Sequence, residues 1–365
     1  MWFNAGPMRI ALLGLAGSGK TTVFNAVADR PVPAVPGAVQ TETHVQVVKV
    51  HDPRLVRLRD MFQPKKFTPA GLEVWDPPGL PEGNEVGDAE KRTRILSALR
   101  EVDGYVVVLR AFSTDAYAYP RPAPDPAADL RRIVDELLVA DLLPAQARVE
   151  KLRDNVKKHA KSMEQDQREL AVLERCLPRL EAGEGVGGVE MTVEEEKRLR
   201  GFQFFTRKPF VLLANGPAGL PVGLGDGLKL PFRERLALDG KLSAELQAMP
   251  PEDRAAFMAE FGVEEPASDR LVHAVYRGVG LLSFFTVGED EVRAWTIRAG
   301  DDAVTAAGKI HTDLAKGFVR AEVCAYADLV AAGGMKELKA KNGLRLEPKD
   351  YLVKDGEVVH IRSAV

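Results

Sequence analysis

One eight-residue segment restricts this chain more than any other. Gly14-Leu-Ala-Gly-Ser-Gly-Lys-Thr21 has the spacing GxxxxGK[ST]. The apolar run Arg9-Ile-Ala-Leu-Leu13 before it reads as a buried strand, and Val23-Phe-Asn-Ala-Val-Ala28 after it continues a helix. Glycines let the backbone turn so that successive N–H groups point inward at an anion. The following helix adds its positive N-terminal end. In such a loop Lys20 reaches the outer phosphates of a nucleotide and the Thr21 hydroxyl binds Mg²⁺. Gly14, Gly17, Ser18, Gly19, Lys20, Thr21 and Thr22 are therefore candidate nucleotide-binding residues, with Lys20 also the candidate catalytic cation. The alternative is a glycine-rich turn with no ligand, and the flanking strand and helix argue against it.

A second motif narrows the class of phosphate loop. Asp76-Pro-Pro-Gly79 has the form DxxG and follows a strand candidate, Leu72–Trp75. Asp76 would hold Mg²⁺ directly or through water, and the Gly79 amide would meet the γ-phosphate. Leu80 stands where many switch GTPases carry a glutamine that orients the attacking water. An apolar side chain cannot do that, so another group or a bound partner has to, or Leu80 simply packs. Further on, the run Phe210–Ala214 ends in Asn215-Gly-Pro-Ala218. Switch GTPases have NKxD at this place, and its Asp accepts two guanine protons. Ala218 offers no acceptor, and each unpaired buried donor costs roughly 1–3 kcal/mol. The sequence thus gives no basis for guanine selectivity. Asn215 and Gly216 remain candidates for bracing the phosphate loop or touching the base, with a strand-end cap as the alternative for Asn215.

The 365 residues suffice for two or three domains, and 45% hydrophobic with 28% charged residues is ordinary for a chain with a sizeable core. A net charge of −3 provides no global field for nucleic acid or acidic membrane. Cys176 and Cys324 lie far apart and form no CxxC pair, which argues against a disulfide scaffold or a zinc site. The leader Met1–Pro7 is followed only by a short apolar run, too short for secretion, and nothing is long enough to span a membrane.

Strand-like runs at 45–50, 70–75, 105–109 and 210–214 alternate with helical segments, the pattern of a parallel α/β sheet. Residues 115–128, rich in Pro and Ala, read as a loop. From Asp129 to about Arg200 the chain is charged and helical. Val149, Leu152, Val156, Met163, Leu170, Leu173, Leu177 and Leu180 fall on a heptad frame interrupted by His159 and Asp166. The interruption reads as the turn of an antiparallel hairpin; one long helix packed on the main domain is the alternative. From about Leu281 short strands and turns suggest a separate α+β module. The expected division is 8–128 with 201–280, then 129–200, then 281–365. Lys151, Arg153, Lys157, Lys158 and Lys161 cluster against the single acid Asp154 near the expected hairpin tip, either an RNA-facing patch or a solvated helix face.

With these motifs in order, the chain resembles the YchF/Obg-like ATPase family, in the translation-factor class of P-loop GTPases. The resemblance is carried by Asp52-Pro-Arg-Leu55, Pro64-Lys-Lys66, Tyr276-Arg-Gly-Val-Gly280, Glu291–Ile297, Ala307–Asp313, Gly317–Val323 and Lys349–Gly356. It implies an α/β fold: a P-loop NTPase G domain with a parallel sheet, an inserted antiparallel helical coiled coil, and a C-terminal α+β TGS (β-grasp) domain. It also implies ATP used at least as readily as GTP, Mg²⁺, ribosome or RNA contact through the coiled coil and TGS domain, and a cytoplasmic location. It implies no membrane or DNA partner. His311 and Asp313 are then structural, and Trp295, Phe284 and Phe285 are core.

The departures from the family pattern are specific. The family's usual Asn-Val-Gly-Lys-Ser is Gly17-Ser-Gly-Lys-Thr21 here. Its DIAG-like motif is Asp76-Pro-Pro-Gly79, and its glycine-rich switch is Glu82-Gly-Asn-Glu-Val-Gly-Asp88. Its switch threonine, an Mg²⁺ ligand, falls on Gln40, which leaves the adjacent Thr41 as the candidate ligand. Its NxxE glutamate is Ala218, and a histidine implicated in hydrolysis falls on Val107. The scaffold is kept and the switches are altered, as in a divergent paralogue. Two functions follow: a slow Mg²⁺-dependent NTPase switching a ribosome-bound state, or a nucleotide-binding interaction protein with little or no hydrolysis. A kinase or transport ATPase has no use for the TGS-like tail.

Overall fold

A computed structural model describes residues 7–34, 40–81, 83, 86–114, 123–158, 163–260 and 265–364. His159, Lys161 and, in the Glu82–Asp88 switch segment, Glu82, Asn84 and Glu85 lie outside the described residues.

In chain order the elements are β1 (Met8–Leu13), α1 (Lys20–Val27), β2 (His44–Lys49), α2 (Pro53–Phe62), β3 (Lys66–Thr68), β4 (Gly71–Asp76), α3 (Asp88–Leu99) and β5 (Gly104–Arg110). Two long helices follow, α4 (Pro126–Lys157) and α5 (Met163–Glu181), then α6 (Val193–Leu199), β6 (Phe210–Asn215), β7 (Phe232–Leu238), α7 (Gly240–Ala248), α8 (Pro251–Glu260) and α9 (Ala267–Gly278). The tail holds β8 (Leu281–Thr286), β9 (Glu291–Arg298), α10 (Ala303–Ile310), α11 (Thr312–Lys316), β10 (Phe318–Ala325), α12 (Tyr326–Ala332), α13 (Met335–Ala340), β11 (Arg345–Glu347) and β12 (Glu357–Ser363).

The chain forms two compact units. One comprises residues 9–46 and 74–279, the other 1–8, 47–73 and 280–365. The first sheet runs β2-β4-β1-β5-β6-β7, with β1–β5, β5–β6 and β6–β7 parallel. Every residue of β5 and β6 is buried, which is why both read as unbroken apolar runs rather than alternating ones. The loops after β1 and β6 therefore leave from the carboxyl ends of parallel strands separated only by β5, where open α/β sheets bind ligands, and β4 lies beside β1.

The second unit carries the sheet β11-β10-β12-β8-β9-β3 over its own core of Leu282, Phe284, Ile297, Ala306, Val323 and Val359. Its strand β3 comes from far upstream and pairs in parallel with β9 from Lys66–Glu291 to Thr68–Arg293. That pairing, of 3 residues on a 223-residue sequence separation in the Thr68–Glu291 contact, leaves no local periodicity to read. Phe284 and Phe285 are fully buried, while Trp295 is half-buried and stacks on Phe284 with Arg293 over its ring. His311 caps α11 by accepting the Asp313 N–H, a structural role.

α4 and α5 form an antiparallel hairpin, and a single continuous helix is excluded. Arg148 holds Glu169 through two hydrogen bonds of 2.8 and 2.7 Å, and Arg153 meets Glu174 at 2.9 Å. Val149, Leu152, Val172, Leu173, Cys176 and Leu180 fill the seam. The polar heptad position Asp166 is buried there because Asn155 donates to it at 3.1 Å. The start of α4 corrects the expectation of a loop through residue 128. Pro126 opens the helix, and Asp125 caps it by accepting the Ala128 N–H at 2.9 Å. An Asp-Pro pair that reads as loop composition is also a helix-start signal.

The foot of the hairpin is pinned by one buried carboxylate. Asp141, fully buried, accepts the Phe205 N–H at 3.0 Å and both the N–H and hydroxyl of Thr206 at 2.9 Å. Arg100, just past α3, lies 3.5 Å from Asp141 and donates to the Ala140 carbonyl at 2.6 Å and the Phe202 carbonyl at 2.8 Å. Three segments distant in sequence thus meet at one side chain.

Removing Asp141 leaves the Phe205 and Thr206 N–H groups and the Thr206 hydroxyl without their acceptor. Asp141→Ala is expected to lower the free energy of unfolding by about 2–5 kcal/mol, read as a fall in the urea midpoint. Burial raises the pKa of both thiols, Cys176 and Cys324, to about 11. Neither is expected to react with a thiol reagent at pH 7 in the native protein, and both should react once urea unfolds it.

Candidate functional site

The loop after β1 needs glycine at position 19 for two reasons. Its φ is +84°, and a Cβ there would lie 2.2 Å from the Asn215 amide nitrogen. Asn215 itself is buried with both ends of its side chain in use. Its Nδ2 donates to the Ser18 carbonyl at 3.0 Å, and its Oδ1 accepts the Gly240 N–H at 3.0 Å. It therefore braces the phosphate loop against the turn that follows β7. That turn, Asp239-Gly240, is a part of the site the sequence reading missed. The signal was the short apolar run Leu236-Ala237-Leu238 leading into Asp239-Gly240, with Asp239 capping α7 by accepting the Leu242 N–H.

α1 begins on Lys20, and no side chain caps its first N–H groups. Free N–H groups at that end suit an anion. Lys20 is 5% exposed. Burial lowers its pKa from 10.5 to about 8, and the Asp76 charge works in the opposite direction. The Thr21 hydroxyl donates to Asp76 Oδ2 at 2.8 Å. Asp76 is fully buried, yet its Oδ1 has no hydrogen-bond partner, and neither has the buried Ser18 hydroxyl. Buried polar atoms without partners are rare and point to a missing group. A phosphate with Mg²⁺ fits these valences. Thr21 and Asp76 would supply oxygen to the cation, while Lys20 and the free N–H groups would face the phosphate oxygens.

The segment after Asp76 is tied to the loop through an isolated parallel bridge between Leu15 and Leu80. Leu80 donates its N–H to the Gly14 carbonyl at 3.0 Å, and Ala16 donates to the Leu80 carbonyl at 3.2 Å. A Cβ at Gly79 would sit 2.7 Å from the Ala16 nitrogen, so only glycine permits this approach. The Leu80 side chain is 1% exposed and packs in the main core, where it can orient no water. Val107, in β5, is equally buried in that core.

The structure brings Gln40 rather than Thr41 to the metal-side residues. Gln40 Nε2 donates to the Asp76 carbonyl at 2.7 Å and to the Glu42 carbonyl at 2.9 Å, and its Oε1 lies 3.3 Å from the Thr21 hydroxyl. His44, which no sequence motif marks, places Nδ1 3.3 Å from Asp76 Oδ2. Thr41 is exposed. Thr22 is partly exposed on α1, Gly216 donates its N–H to the Leu238 carbonyl, and Ala218 is exposed.

Parallel strands delivering these loops to one sheet edge make the first unit a P-loop NTPase G domain, here with an inserted helical hairpin and followed by an α+β module. Known proteins share the whole arrangement. The "Ribosome-binding ATPase YchF" of Bacillus subtilis is 34% identical over 365 residues, spanning 97% of this chain and 98% of its own. "Obg-like ATPase 1" of Caenorhabditis elegans is 32% identical, spanning 97% of this chain and 92% of its own. The solved structure of the Schizosaccharomyces pombe YchF GTPase superposes with a TM-score of 0.77 at 26% identity, over 99% of this chain and 100% of that one. The family model described as "YchF-GTPase_C: Protein of unknown function (DUF933)" matches residues 281–364. The chain belongs to the YchF/Obg-like ATPase family.

The lowered Lys20 pKa has a consequence for stability without nucleotide. The folded chain disfavours the ammonium, a cost fully present below about pH 8 that fades as pH rises toward the unfolded value of 10.5. Lys20→Met is expected to stabilise the nucleotide-free protein at pH 7 by roughly 1–3 kcal/mol. Urea titrations should show the gain shrinking between pH 8 and pH 10.5.

Proposed function

We propose that this protein binds a purine nucleoside triphosphate with Mg²⁺ and hydrolyses it slowly, taking ATP in preference to GTP, as a switch associated with the ribosome in the cytoplasm. The observation that carries this reading is the buried Lys20 and Asp76 with the partly buried Thr21 hydroxyl between helix and carboxylate, and the unpartnered Asp76 oxygen beside the phosphate loop. The relatives named as ribosome-binding ATPases support both the reaction and the partner. Ala218 supports ATP over GTP, since it offers guanine no acceptor.

Roles follow from chemistry. Lys20 and the loop N–H groups of Gly17, Ser18 and Gly19 neutralise and orient the phosphates. Mg²⁺, held by Thr21 and Asp76, would supply Lewis-acid stabilisation of the phosphoryl oxygens. Asn215 keeps the loop in the shape that presents its N–H groups. The hairpin and the C-terminal domain are the proposed contacts to ribosomal RNA. The domain division proposed is 8–128 with 201–280, 129–200, and 281–365; residues 47–73 cluster with the last of these.

Purified protein with Mg²⁺-ATP is expected to release phosphate, and Lys20→Ala to slow this about a hundredfold or more. Equal rates in the two proteins would contradict the reading. Ribosome binding through the exposed Lys151, Lys157 and Lys158 should weaken as salt rises, and a salt-insensitive interaction would count against that surface.

A second reading, nucleotide binding with little or no hydrolysis, is favoured by the buried Leu80 and Val107, which leave no water-orienting side chain at either position. Single-turnover hydrolysis with and without ribosomes separates the two. Stimulation by ribosomes supports the switch, and none supports the second reading.

A further inference from the structure

Gln40 occupies a place among oxygens that hydrogen bonding alone does not explain. Its carboxamide orientation is set by its nitrogen. Nε2 lies 2.7 Å from the Asp76 carbonyl, 2.9 Å from the Glu42 carbonyl and 3.3 Å from Asp76 Oδ2. Three of its four polar neighbours are oxygen acceptors, the fourth being His44 Nδ1 at 3.3 Å, so reversing the amide would press an oxygen against three oxygens. The nitrogen therefore faces them, and Oε1 turns to Thr21.

There the protons run out. The Thr21 hydroxyl has one, and Asp76 Oδ2 at 2.8 Å is the nearer acceptor. Gln40 Oε1, 3.3 Å from the same hydroxyl oxygen, is left facing a lone pair. Asp76 Oδ1 is buried with no partner. Gln40 Oε1 and Asp76 Oδ2 thus compete for the single Thr21 proton, which goes to Oδ2, and Asp76 Oδ1 has none. Oxygen donors short of protons are what a hard divalent cation takes.

We propose that Gln40 Oε1 is a protein ligand of the divalent cation at this site, in place of the switch threonine, and that Thr41 is not. The proposal rests on the nucleotide reading above. His44 has a positioning role: with its proton on Nδ1 it donates to Asp76 Oδ2 at 3.3 Å. A longer side chain with a carbonyl oxygen then does from position 40 what a threonine hydroxyl does elsewhere in the family. This explains why the segment holds together around Asp76 although the expected residue is missing.

The test is Mn²⁺ binding to the full-length chain with a non-hydrolysable ATP analogue, followed by the loss of the free-Mn²⁺ paramagnetic resonance signal. Analogue affinity in EDTA provides the metal-free reference. Gln40→Ala is expected to bind the analogue in EDTA as the wild type does, and to weaken Mn²⁺ binding about tenfold or more. Thr41→Ala is expected to leave Mn²⁺ affinity at the wild-type value. If the wild-type chain binds no analogue, the nucleotide reading itself fails. If it binds analogue and Mn²⁺ and Gln40→Ala binds Mn²⁺ equally well, the Gln40 assignment alone is overturned. Weakening by Thr41→Ala and not by Gln40→Ala also overturns it.

Discussion

A carboxylate with no access to water sets the terms for the nucleotide-facing edge of this protein. Asp76 is fully buried at the end of β4, beside a buried lysine and a threonine hydroxyl. Burying that charge is costly unless it is paired and hydrogen-bonded. Thr21, Gln40 and His44 each contribute to one oxygen or to its backbone, and the other oxygen has no protein partner. Lys20 is held at a lowered pKa in the same place. Two opposite charges, both stripped of solvent and neither fully satisfied, suit a ligand that carries its own anion and cation.

The scaffold spends many hydrogen bonds on keeping this edge open and shaped. Asn215 reaches from β6 to Ser18 and to Gly240, so loops from three strands are tied through one amide. The bridge from Leu80 to Gly14 and Ala16 fixes the loop on its other side. Further along, Arg100 and Asp141 connect the end of α3 to the foot of the hairpin. α3 is the helix that follows the altered switch, and Arg92 on it also meets Glu136 of α4 at 3.2 Å. α3 and the residue that follows it are thus in direct contact with the hairpin.

Much of this was legible in the sequence where the signal is local. Gly14–Thr21, the buried runs of β5 and β6, and the heptad positions of the hairpin each depend on neighbours within a few residues, and the structure has a loop, two central strands and a helical pair there. Leu80 was legible as a residue that either packs or leaves water unpositioned, and it packs. Other features were hidden for physical reasons. β3 joins a sheet through a strand far away in sequence, so its three residues carry no periodic pattern. His44 comes to Asp76 by tertiary placement that no motif spacing encodes, whereas Gln40 stands where the family pattern has its switch threonine and only its side-chain contacts were hidden. The Asp239-Gly240 turn became part of the site only because β7 lies beside β6. Asp125-Pro126 was misread because helix caps and loops draw on the same residue types.

The most direct measurement is calorimetric titration of the full-length chain with non-hydrolysable ATP and GTP analogues, each with Mg²⁺ and with EDTA. The expected result is one site per chain, tighter with Mg²⁺ than with EDTA, and bound by the ATP analogue more tightly than by the GTP analogue. Binding indifferent to Mg²⁺ would contradict the role given to Asp76 and Thr21, and a strong preference for the GTP analogue would contradict the consequence drawn from Ala218.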